Sequence, residues 1–168
     1  IVNGTTNFIL SNMDDSGVSY GDALRVAQKK GHAEADPTND VAGYDAARKL
    51  AILASIGFHA NVTFDDVLVE GIEKISQNDV QYASEMGYTI KLLAVAIRQE
   101  NGIALNVYPA FVPRSHPLAS VKGSYNAIYV TGNIVDDVMF YGKGAGSLPT
   151  ASAVMGDVIS TAKHILNH

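Results

Sequence analysis

The strongest constraint on the fold is a change of pattern at Tyr88. Before it, the spacing predicts helices. Phe8, Ile9 and Met13 fall at helical intervals over residues 5–13. Ser19-Tyr20-Gly21-Asp22 has the form of a capping box, with Asp where Glu is usual, and opens a helix that stops at Lys29-Lys30-Gly31. Residues 33–40 form a turn-rich acidic loop around Pro37, and a long helix follows, roughly 40–58. Thr63-Phe64-Asp65-Asp66 opens a short helix or strand running to Val69, and 78–86 is a helix ending at Gly87. Beyond Tyr88, β-branched and aromatic residues predict strands at 89–98, 103–112, 127–131 and 138–141. Pro113 and Pro117 place 112–117 in a loop, and a last helix spans about 150–166. This order of helices, strands and one final helix is that of an α+β fold. It implies a mixed, mostly antiparallel sheet packed by helices, not a doubly wound one.

With 168 residues, 47% of them hydrophobic and 17% charged, the chain suits one globular domain spanning 1–168. The net charge is −5 and no basic patch stands out, so nucleic acid is not an expected partner. No apolar run has the roughly 18 residues of a membrane span, and no signal peptide is recognisable. There is no cysteine, which removes disulfides, thiolate metal sites and cysteine nucleophiles. The chain starts at Ile1 without Met and reads as a piece of a longer protein.

The densest polar cluster is Glu34, Asp36, Asp40, Asp45 and Lys49. Asp45 and Lys49 stand four apart on one predicted helix and share a face. One reading is an exposed ion pair worth about 0.2–0.5 kcal/mol, beside a proline turn with Asp40 as N-cap. The other is a site. Ala42, Gly43, Ala46, Ala47, Leu50 and Ala51 give a face of small residues, leaving room for a ligand or a close neighbour. Carboxylates there would hold an ammonium-bearing substrate while Lys49 exchanges a proton with a reacting oxygen. A second cluster, Gly142-x-Gly144-x-Gly146, precedes a helix. It is either a glycine-rich turn or an anion-binding N-terminus, and it is not the dinucleotide fingerprint. The five histidines have no metal spacing, so no metal is expected. His32 reads as a surface residue beside the acidic loop, and His164 and His168 as solvated.

Three segments resemble homoserine dehydrogenases: Asn3-Gly4-Thr5-Thr6-Asn7-Phe8-Ile9-Leu10, the run from Gly31 to Leu50, and 142–157 with its Gly-Ala-Gly and Pro-Thr-Ala. The likeness runs along the whole chain, and the middle motif is long enough to be specific. His32, standing where an aromatic is common, is a mild departure. The resemblance implies NAD- or NADP-dependent interconversion of L-homoserine and L-aspartate 4-semialdehyde, in threonine, methionine and isoleucine synthesis. By it, Lys49 donates the proton and Glu34 and Asp45 bind the two ends of the substrate. Asp40 supports the lysine, Thr5 lines the pocket, and Gly31 and Gly146 lie against the nicotinamide. It implies the fold of the C-terminal domain of glyceraldehyde-3-phosphate dehydrogenase, a homodimer and a cytoplasmic location. The absence of cysteine agrees, since related semialdehyde dehydrogenases need a cysteine nucleophile.

The family's N-terminal Rossmann domain, with its glycine fingerprint and a second catalytic lysine, is not in this stretch, nor is the regulatory ACT domain of some members. The chain alone is therefore expected to be inactive. The competing possibilities are a non-catalytic dimerisation module and an amino-acid-binding regulatory domain. The retention of Glu34, Asp45 and Lys49 speaks against the first. The helical first half speaks against the second, which would show repeated βαββαβ patterning.

Overall fold

The computed structural model describes residues 1–166. Six α-helices and five strands are present among them, in the expected α+β order. Helix α1 (Gly4–Ser16) starts where the Asn3 side chain accepts from the Thr6 N–H, and ends at Gly17, which is left-handed. Helix α2 (Tyr20–Lys29) is capped by Ser19. Helix α5 (Gln77–Glu85) is capped reciprocally by Ser76 and Asp79.

The long helix expected at 40–58 is instead two helices, α3 (Thr38–Val41) and α4 (Tyr44–Phe58). The break is Gly43, which is left-handed with φ 85°. A Cβ on Gly43 would lie 3.0 Å from Val69 and 3.2 Å from Val107, so the chain turns there directly against strands. Asp40 is thus not an N-cap; it lies within α3, and Gly43 occupies the N-cap position of α4. The face of small residues leaves no room for a ligand, because Ala46, Ala47, Leu50 and Ala51 are buried in the core. It serves a close neighbour.

The strands are longer than the sequence suggested and form two sheets. In the first, β2 (Tyr88–Gln99) and β3 (Gly102–Pro113) pair antiparallel, and β1 (Leu68–Val69) lies parallel to β3. In the second, β4 (Tyr125–Gly132) pairs antiparallel with β5 (Asp136–Lys143). The main core lies between the early helices and the β2–β3 hairpin, with Ile9, Met13, Ala47, Ile72 and Val107 almost wholly enclosed. A smaller core of Ile1, Val112, Leu118, Val121 and Ala127 joins the two sheets. Across it, Ile1 and Ala127 exchange two main-chain hydrogen bonds of 2.8 Å, so the first residue pairs with β4. Helix α6 (Ser147–Leu166) buries none of its residues. His164 is exposed on it, and His168 lies outside the described residues. No helix among the described residues is long and apolar enough to cross a membrane.

Candidate active site

Asp45 and Lys49 lie one turn apart on α4 and meet as their spacing predicts, with Nζ donating to Oδ2 at 2.7 Å. The contact is more than a surface pair. The same Nζ donates to the Val2 carbonyl at 3.2 Å, tying α4 to the segment that enters α1. From that segment Asn3 reaches the other way. Its Nδ2 donates to Asp45 Oδ2 at 2.8 Å and to Asp40 Oδ1 at 2.7 Å. Asn3 is 4% exposed, whereas Asp45 is half-buried and Lys49 exposed. The α3–α4 break, which defeats the single-helix reading, is what turns Asp40 and Asp45 toward one amide.

The other expected residues make no hydrogen bond or ion pair with this cluster among the described residues. Thr5 Oγ1 donates to the His32 carbonyl at 2.6 Å, so the hydroxyl fastens the turn that carries residues 31–34. His32 packs its ring 4.6 Å from that of Phe8. Glu34 is exposed, and among the described residues its carboxylate has no partner. Gly31 is left-handed at φ 75°, and a Cβ there would meet nothing within 4 Å. Gly146, at φ 124°, lies immediately before α6 and touches neither Lys49 nor the carboxylates. The near end of the glycine-rich stretch is closer: Gly142 and Gly144 share with Lys49 a cavity of about 440 Å³. Asn126 also lines it. Gly144 backs onto its side chain, and its Oδ1 is buried without a partner among the described residues.

Sequence reasoning missed three contributors: Asn3, the Val2 carbonyl and Asn126. Only Asn3 had a local signal, as a capping residue type ahead of a helical run. A further pair lies beneath α1. Lys91 on β2 is buried and donates to Asn7 Oδ1 at 3.1 Å and to the Val121 carbonyl at 2.7 Å. Asn7 in turn donates to the carbonyls of Val121, Gly123 and Tyr125, each within 3.1 Å. Burial pushes the Lys91 ammonium down to about 8.

Comparison with known proteins identifies the family. The family model for homoserine dehydrogenase matches residues 1–159. The homoserine dehydrogenase of Corynebacterium glutamicum is 54% identical over 98% of this chain, and that of Bacillus subtilis 48% identical over 98%. The chain spans 38% of the length of each of these relatives. A crystal structure of Staphylococcus aureus homoserine dehydrogenase at pH 6.0 superposes with a TM-score of 0.93 at 44% identity, covering 98% of this chain and 42% of that one. A hyperthermophilic archaeal homoserine dehydrogenase mutant in complex with NADPH superposes with a TM-score of 0.75 at 30% identity, covering 97% and 46%. With a family match this long and solved relatives this close, the chain belongs to the homoserine dehydrogenase family.

Proposed function

We propose that residues 1–168 form the catalytic domain of an NAD- or NADP-dependent homoserine dehydrogenase, which interconverts L-homoserine and L-aspartate 4-semialdehyde. The observation that carries this is the state of Lys49. Two of its three N–H donors are held, by Asp45 and the Val2 carbonyl, which leaves one for a ligand oxygen. Reduction of the aldehyde adds hydride to carbon and a proton to oxygen. Lys49 gives that proton, and takes one back in the oxidation. Asp45 binds the reacting end and Asp40 supports the lysine's charge. The unpartnered Glu34 carboxylate holds the substrate's ammonium. Thr5 acts by fixing the turn beside it.

The cofactor, when bound, supplies or takes the hydride. Gly31, whose left-handed backbone is open, and Gly146, exposed beside Pro149, would be the residues of this chain that hold the nicotinamide. The dinucleotide-binding domain is assigned to the rest of the full-length protein, and a cytoplasmic homodimer accompanies this reading.

The test is kinetic, in the full-length enzyme. Lys49→Ala lowers kcat by about 10²–10⁴ with little change in KM for L-homoserine, because the proton matters most as charge develops on oxygen. Glu34→Ala mainly raises KM, since it holds a fixed charge in ground and transition state alike. Asp45→Asn changes both. Retention of more than half of the wild-type kcat by Lys49→Ala would remove it as proton donor.

A further inference from the structure

We propose that Asn3 is a positioning residue of the active site, whose amide sets the geometry of Lys49 through Asp45. The inference rests on the function proposed above.

The amide is fully used. Its Oδ1 accepts from the Thr6 N–H at 2.8 Å and from Thr6 Oγ1 at 2.9 Å. A main-chain N–H can only donate, so this contact fixes which end of the amide is oxygen. The Nδ2 end therefore faces Asp40 and Asp45, and each of its two hydrogens has its own carboxylate. Asp45 Oδ2 is shared between Asn3 Nδ2 and Lys49 Nζ, at 2.8 Å and 2.7 Å. The oxygen that places the lysine is thus itself placed by the amide. The next residue back completes the arrangement, since the Val2 carbonyl takes a second hydrogen of Lys49. One buried dipeptide, Val2-Asn3, orients three side chains from two helices. A neutral donor also separates two carboxylates that would otherwise repel.

The two ends of Asn3 do different work, so they can be separated. Oδ1 caps α1 and Nδ2 clamps the carboxylates. Asn3→Asp keeps the shape and the cap, because Asp caps as well as Asn, but it replaces the double donor with a third carboxylate. Asn3→Ser also keeps a capping oxygen and cannot reach both carboxylates. A residue that merely capped α1 would tolerate both changes.

The experiment uses the full-length enzyme with L-homoserine, and crystal structures of both variants. Asn3→Ser is expected to melt nearer the wild-type temperature than Asn3→Asp, which places a third carboxylate at a buried position. Both are expected to lose kcat tenfold or more (about 10²-fold is the scale for a 1 Å misplacement) and to change KM less than kcat. In the crystals the Lys49–Asp45 contact opens beyond hydrogen-bonding distance. If Asn3→Asp fails to fold, Asn3→Ser decides alone. A kcat within twofold of wild type in the folded variants overturns the inference. If the wild type itself does not turn over homoserine, the proposed function falls, and the crystallographic arm still judges Asn3: an intact Lys49–Asp45 contact in the variants overturns its role.

Discussion

Lys91 is the one charged residue among the described residues with almost no exposure, at 2%. Burial is the main cause that lowers its pKa from 10.5 to about 8; Asp14 and Asp15 act to raise it, and Lys122 and Arg114 to lower it further. The consequence for stability has a definite sign. Below about pH 8 the ammonium is charged in both states, and the folded protein bears the full cost of burying it. Between about 8 and 10.5 the unfolded chain binds a proton that the folded chain has released, so stability rises with pH. At about 1.4 kcal/mol per pKa unit, the full rise is about 3 kcal/mol. Lys91→Met strands Asn7 Oδ1 but also removes the buried charge, and it is expected to lack this rise with pH. Urea unfolding of both proteins at about pH 7 and about pH 10 measures it, and an equal change in the two would refute it. Nothing local in the sequence marks Lys91 as buried. The Asp45–Lys49 pair, by contrast, was legible because four residues is one helical turn. Asn3 escaped notice as a site residue because its carboxylate partners are 37 and 42 residues away.

At the scale of elements, capping chemistry carried most of the legible information. The starts of α2 and α5 fall within a residue or so of where Ser19 and the segment at 78 placed them. The α3–α4 break was misread because a left-handed glycine inside an alanine-rich run looks like a tolerated helical one. Only the closeness of Val69 and Val107 makes that turn necessary. Gly71 is its counterpart on the other side. Around it, Glu70 N donates to the Val107 carbonyl at 2.7 Å and Ile72 N to the Val41 carbonyl at 2.8 Å, so this short segment bridges β3 and α3. A Cβ on Gly71 would lie 2.5 Å from the Ala42 Cα and collide with the Val41 carbonyl, neither of which can yield without moving α3. Gly71→Ala should therefore destabilise by about 1–3 kcal/mol, as overpacking does. Gly57→Ala in α4, where a Cβ meets nothing within 4 Å, should stabilise by up to about 1 kcal/mol. Denaturant midpoints of the two variants on opposite sides of wild type would bear this out; midpoints on the same side would contradict it.

At the scale of the molecule, the strands were legible and their partners were not. Alternation identifies a strand but not its neighbour, so one expected sheet proved to be two. Both hairpins expose large apolar side chains, among them Ile97 at 54%, Phe111 at 57% and Phe140 at 63%. Exposure of this kind on paired strands suits a second copy of the chain. Light scattering at micromolar concentration should return about twice 17.8 kDa, and a mass near the monomer's would count against dimerisation. The pairing of Ile1 with Ala127 bears on time as well as space. The Lys49–Asp45 contact closes within one helical turn, and the Lys49–Val2 bond closes a separation of 47 residues, but the strand that holds Ile1 in place is 126 residues away. Local turns form in microseconds or less, while distant β pairing comes late. In a chain growing from the ribosome, helix α4 begins some 80 residues before the strand that pairs with Ile1, so the Asp45–Lys49 pair can close well before the segment carrying Val2 and Asn3 is held in place.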